Sequence, residues 1–144
     1  MKERSRARGW ALQVLYAWEA RAAADEELPL ILSELSETQY VSPRNRFYAE
    51  ALVRIVSRCR AEIDAAIERN LRNWRFSRLS VVDRNILRLG VAEMLFVDDV
   101  PGPVTIREML RLAERYGTPE SPRFINGVLD AVLHEVEEDT AENR

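Results

Sequence analysis

Apolar residues recur along this chain at the i, i+3, i+4, i+7 spacing of a helix face, and no stretch sustains the alternation of a strand. Ala7, Trp10, Ala11, Val14, Leu15, Trp18 and Ala22 predict a first helix from about Ser5 to Ala23, and Leu28, Ile31, Leu32 and Leu35 a short second one. Ser42-Pro43 places an N-cap before a proline at the first helical position, where its missing N–H costs nothing. Phe47, Ala51, Leu52, Ile55, Cys59, Ile63, Ile67 and Leu71 then keep to one face, so a long third helix runs toward Leu71, with a break expected near Arg60. Trp74 to Leu79 is a connector. The stretch from Ser80 to Val97 organises the rest. Ser80 can cap a helix beginning near Val81, with Asp83 at the positive dipole end, and its apolar positions cover too much of the circumference for a surface helix. Asp83, Arg84, Asn85 and Arg88 gather in its first two turns, so that end is expected to emerge from the core.

Asp98 to Pro103, with two prolines and a glycine, predicts a loop. Ile106, Met109, Leu110, Ala113 and Tyr116 form the next stripe, with Gly117 where a left-handed C-cap belongs. Ser121-Pro122 repeats the start signal for a last helix through Phe124, Ile125, Val128, Leu129, Val132, Leu133 and Val136. Asn126-Gly127 lies inside it, where glycine costs about 1 kcal/mol relative to alanine; the close approach of another backbone or of a ligand would offset that. The fold class is therefore all-α, one domain over residues 1–137, followed by an acidic tail, 138–144, expected to fray.

A chain of 144 residues suits one domain that buries roughly 70% of its unfolded surface without a disulfide or metal staple. With 47% apolar and 31% charged residues, five glycines and six prolines, the composition is globular. The single cysteine, Cys59, can form neither an internal disulfide nor a zinc site, so no metal and no cofactor are expected, and a reducing cytoplasm is the simplest home. The basic start of the chain looks superficially like a signal peptide, but Gln13 and Glu19 interrupt the apolar run. No stretch approaches the roughly 20 apolar residues of a membrane span.

Net charge is −3, yet the last ten residues hold five acids (Glu135, Glu137, Glu138, Asp139, Glu142) against Arg144, a net −4 that leaves +1 for residues 1–134. Arg4, Arg6 and Arg8 crowd a helix start, where the dipole disfavours cations by about 0.3 to 1 kcal/mol each. Something other than helix stability placed them there, and guanidinium groups bind phosphate oxygens bidentately. Arg69, Arg72, Arg75 and Arg78 recur every three residues with no acid among them; a solvated basic face accounts for them at least as well as contact with an anion. Arg84 and Arg88, one turn apart, suit a second phosphate site or the neutralisation of Asp83 and the tail equally well. Phe124 heads the last helix. Periodicity favours a core position for it, against stacking on an unpaired base, and Arg123 beside it points outward. Asp83 suits both a cap and a partner contact. Glu93 is expected to pair inside the fold, Cys59 to be inert core, and His134 to sit on the surface.

Arg6-Ala7-Arg8, Gln13 to Trp18, Arg84 to Leu89 (Arg-Asn-Ile-Leu-Arg-Leu), Asp99-Val100-Pro101 and Ser121 to Asp130 (Ser-Pro-Arg-Phe-Ile-Asn-Gly-Val-Leu-Asp) occur in the order in which the NusB family of transcription antitermination factors carries them. The chain resembles that family over nearly its whole length, most specifically at Arg123 to Asp130. The resemblance implies about six to seven helices in two small sub-bundles. It also implies a non-enzymatic role: binding single-stranded boxA-like RNA together with NusE, a small-subunit ribosomal protein, so that the transcription elongation complex reads through ribosomal RNA operons. Family members occur as monomers or homodimers. By position Arg4, Arg6 and Arg8 match the family's basic RNA contacts, Arg88, Glu120 and Phe124 its RNA surface, and Tyr16 and Asp83 its NusE face. Gly9-Trp10 departs from the pattern and predicts a looser first turn, and the acidic tail is a competitor for RNA. Two other readings stand beside this one: a protein-only dimeric scaffold, and the helical part of a ribosomal RNA cytosine methyltransferase. Against the latter, the chain has no glycine-rich cofactor loop and no second cysteine.

Overall fold

A computed structural model of the chain describes residues 2–38 and 42–143. Every predicted stripe is a helix: α1 Lys2–Ala20, α2 Leu28–Thr38, α3 Pro43–Arg69, α4 Val81–Phe96, α5 Gly102–Tyr116 and α6 Ser121–Glu142, with short 3₁₀ turns at Asp25–Glu27 and Phe76–Arg78. No strand occurs among the described residues. Helices α1, α2 and α3 pack on one another, as do α4, α5 and α6, and the two trios join where α4 lies against α1 and α3. These are the two sub-bundles. Their shared core is built mainly of apolar side chains, with Leu15, Leu52, Ile63, Ile86, Leu89, Met109 and Leu129 fully buried.

The start signals work as local chemistry requires. Ser42 Oγ accepts from the Asn45 N–H at 3.3 Å and Ser80 Oγ from the Asp83 N–H at 3.1 Å, each satisfying one of the orphan donors of a first turn. Helix α3 breaks at Cys59 (φ −119°, ψ 21°), one residue before the expected place. Beside the break, Ser57 Oγ donates to the Asp25 carbonyl at 2.7 Å and Arg60 Nε to the Asp25 carboxylate at 2.8 Å, tying the first 3₁₀ turn to the kink.

Several expectations are corrected. Helix α1 begins at Lys2 and ends at Ala20, and it runs unbroken through Gly9-Trp10, where Trp10 packs into the core. Helix α5 starts inside the expected loop, at Gly102, because Pro103 suits a first turn and a Cβ on Gly102 would lie 2.3 Å from Leu133 Cδ1. Gly117 is extended (φ −92°, ψ −165°) rather than left-handed. Glycine is needed there for space, since a Cβ would meet Ser121 Oγ at 2.5 Å and the Ala113 carbonyl at 2.8 Å. Ser121 is not a cap before α6 but its first residue, and its Oγ accepts from the Thr118 N–H at 3.0 Å. The fraying expected of the tail is not among these corrections: residues 138–142 form the last part of α6, which ends at Glu142.

Candidate functional site

The polar end of α4 emerges only in part, with Asp83 and Arg84 half-buried. Asn85 and Arg88 are buried, Arg88 at 4% exposure, and the carboxylates that make this tolerable come from neighbouring helices. Arg88 grips Asp64 of α3 with Nε and Nη2 at 2.8 and 3.1 Å and donates through Nη1 to Glu19 of α1 at 3.0 Å. Arg84 is bidentate on Glu19, at 2.8 and 3.0 Å, and its Nη1 donates to the carbonyls of Phe76 and Leu79. Burial alone would push Glu19 up, but the bonds from Arg84 and Arg88 outweigh it and hold the carboxyl below its ordinary value. Reading Arg84 and Arg88 as an open phosphate site is therefore corrected: both guanidinium groups are spent internally. Arg84 has a different task, clamping the connector that precedes α4 onto α1.

Arg8 is corrected on the same ground. It is 3% exposed, with Nε 2.7 Å from Glu93 and Nη1 3.2 Å from Glu108. Glu93, fully buried, also accepts from the hydroxyls of Tyr48 and Thr105 at 2.6 Å each, which is the internal pairing expected of it. Burial, then the bond to Glu93, raise the Tyr48 phenol well above its usual range. Arg4 is half-buried and pairs with Asp99 at 3.0 Å. Arg6 alone of the three is exposed with no ion-pair partner among the described residues.

At the far end of α4 an open cleft of about 860 Å³ lies between the connector and the head of α6. Four of the anticipated residues line it: Asp83, Glu120, Arg123 and Phe124. The connector supplies three more that sequence reasoning left undecided or passed over, Arg72, Arg78 and Trp74. Arg72, Arg78 and Arg123 have no carboxylate partner among the described residues. Trp74 is 57% exposed, its ring edge-on to Phe124 at 6.4 Å between centroids. Phe124 is thus neither plain core nor free surface. Gly127 opens on the cleft, and a Cβ there would touch nothing within 4 Å, so no backbone approaches it. Asp83 Oδ1 is enclosed without a hydrogen-bond partner.

The anticipated residues therefore fall into two groups. Arg4 sits on Asp99, just past the C-terminus of α4, with Arg6 two residues on along α1, and the cleft is at the N-terminus of α4; the 16 residues of α4 put Arg4 and the cleft roughly 24 Å apart. Between them α5 carries Arg107, Arg111 and Arg115, all exposed. Their i, i+4 spacing opposite the apolar stripe was the available signal. Tyr16, 51% exposed, is one turn before Glu19, which holds the residue next to Asp83. Tyr16 and Asp83, the two residues expected to meet a protein partner, thus lie toward the same end of α4.

Fold and cleft define a small all-helical protein with an open, cationic and aromatic groove suited to an extended anionic chain. A family model described as the NusB family matches residues 5–134. Transcription antitermination protein NusB of Geobacter sulfurreducens is 42% identical over 132 residues, 92% of this chain and 94% of that one. NusB of Solibacter usitatus is 42% identical over 143 residues, 98% and 95% of the two chains. Among solved structures, T. maritima NusB superposes with a TM-score of 0.83 at 41% identity, covering 92% of this chain and 91% of that one. NusB in a complex of the antitermination factors NusB and NusE with dsRNA superposes at 0.84 with 32% identity, covering 94% and 98%. The chain belongs to the NusB family.

Proposed function

We propose that this protein is an RNA-binding transcription antitermination factor that holds single-stranded boxA-like RNA together with NusE and acts within the transcription elongation complex. The observation that carries the reading is the cleft, where three unpaired arginines surround the exposed Trp74 and the half-buried Phe124 on which its ring rests. Cations without carboxylate partners have not spent their charge on the fold, and aromatic faces in water suit unpaired bases. RNA runs from Arg4 and Arg6 along Arg107, Arg111 and Arg115 to Arg123, Phe124 and Glu120. Arg8, Arg84 and Arg88 act as positioning residues that hold helix ends and connector in place. Tyr16 and Asp83 face NusE, the enclosed Asp83 oxygen accepting from a donor on the partner. The role is binding rather than catalysis, as the relatives' description as antitermination proteins suggests.

The test is fluorescence anisotropy of a labelled boxA-like RNA, with and without NusE, at several salt concentrations. Binding should be sequence-selective, tighter with NusE, and weaken with salt by about −0.7 in log–log slope per phosphate neutralised. Arg6→Ala and Arg123→Ala should each weaken binding and reduce that slope by about one such step. Absence of selective binding under every condition overturns the reading.

A further inference from the structure

We propose that Trp74 is a base-stacking residue, so that the cleft seats an unpaired nucleotide of the RNA against the Trp74–Phe124 pair with its phosphates on Arg72, Arg78 and Arg123. This rests on the RNA-binding reading above and extends it to the connector before α4.

Trp74 is a large aromatic side chain left 57% in water, while the other two tryptophans, Trp10 and Trp18, are buried at 6%. It is exposed but not loose. Arg84 clamps the connector through the Phe76 and Leu79 carbonyls and anchors it to Glu19, and the ring rests edge-on against Phe124 with 72° between the planes. An edge-to-face pair leaves one ring face open for a third ring to stack on. Beside it Gly127 keeps the wall of the cleft flat, which leaves room for a base. The rim completes a nucleotide's chemistry with three unpaired guanidinium groups against the carboxylates of Asp83 and Glu120. A basic protein segment would meet that cationic rim unfavourably. A phosphodiester chain with splayed bases satisfies rings and charges together.

The buried environment of Trp10 and Trp18 makes Trp74 the fluorophore that a ligand in the cleft would quench. A boxA-like single strand titrated into the protein should quench tryptophan emission, and the quench should disappear in Trp74→Phe. Trp74→Phe keeps a stacking ring and should bind within about twofold of wild type, whereas Trp74→Ala should lose roughly 5- to 150-fold in affinity, the cost of one base–aromatic stack. Circular dichroism and the urea midpoint of both variants should match wild type, since an exposed ring is removed. If Trp74→Ala binds RNA as wild type does and no quench occurs, while Arg6→Ala still weakens binding, the stacking proposal falls and the RNA reading stands. If NusE alone quenches Trp74 and RNA does not, the cleft is a protein contact and the proposal is overturned. If the wild-type protein binds no RNA, the functional reading itself fails.

Discussion

Arg6 and Arg8 are two residues apart on one helix and end in opposite situations, because two residues turn the helix by about 200°. Arg6 faces water; Arg8 falls on the side of Leu12 and Leu15, both buried, and meets Glu93 and Glu108 there. Its position at i−4 and i−7 from two core leucines was the sign in the sequence that it points inward. What the sequence could not supply was the identity of its partners, which come from α4 and α5, more than eighty residues away. Glu93 holds this cluster together by accepting from three donors, Arg8 Nε and the hydroxyls of Tyr48 and Thr105. Replacing it as Glu93→Gln leaves a buried guanidinium short of charge, and losing one partner of a buried pair typically costs about 3 to 5 kcal/mol, a large part of the roughly 5 to 15 kcal/mol stabilising a domain. Urea denaturation should show that loss; a change under about 1 kcal/mol would mean that Glu108 alone suffices for Arg8.

Two helical glycines separate packing from ligand space. On α4, a Cβ at Gly90 would sit 3.0 Å from both Leu129 methyls and 3.2 Å from Met109 Cγ. Gly90→Ala should therefore lose stability, since overpacking costs about 1 to 3 kcal/mol against a helix-propensity gain of about 1 kcal/mol. On α6, Gly127 has no such neighbour, and Gly127→Ala should raise stability by about 1 kcal/mol. If the cleft holds a nucleotide, the same change should weaken RNA binding. A stabilised Gly127→Ala with unchanged RNA affinity would show that its glycine serves no ligand. The sequence marked Gly127 as costly and the structure places it at the cleft, but the capping role read for Gly117 failed because its constraint is Ser121, a side chain folded back from the next helix.

Across the whole molecule, charge is sorted by depth. Buried arginines meet acids from other helices, while Arg72, Arg78 and Arg123 around the cleft and Arg107 and Arg115 on α5 have no carboxylate partner among the described residues. Arg111, between the latter two, pairs with Glu108 at 2.9 Å. Glu19, Glu108 and Glu135 are all held below the ordinary value of 4.5. For Glu19 the bonds from Arg84 and Arg88 outweigh the upward push of burial, for Glu108 the Ser5 hydroxyl does so first and then Arg8 and Arg111, and for Glu135 the bond from Arg69 is the largest cause. A carboxyl depressed in the folded state stabilises fully above its unfolded pKa, and that stability drains away as pH falls through the folded value. Urea midpoints should thus hold steady from neutral pH to about 5 and fall progressively below 4.5. Glu19→Gln, starting from a lower midpoint, should show a shallower acid limb; an unchanged limb would remove Glu19 from the acid-sensitive set.

The sequence by itself determined the helices, the serine caps of α3 and α4 and the kink, because those depend on spacing, φ preferences and side chains within a few residues. It also marked both ends of the molecule as basic and singled out Phe124, Arg123 and Glu93. Which arginines face solvent was decided only by tertiary structure. Helical position sets the direction of a side chain, but whether a carboxylate waits there depends on helices brought together from distant parts of the chain. The same holds for the cleft: Trp74 and Arg72 lie about fifty residues before Phe124, and only the packing of α6 against α4 brings connector and helix head into one wall.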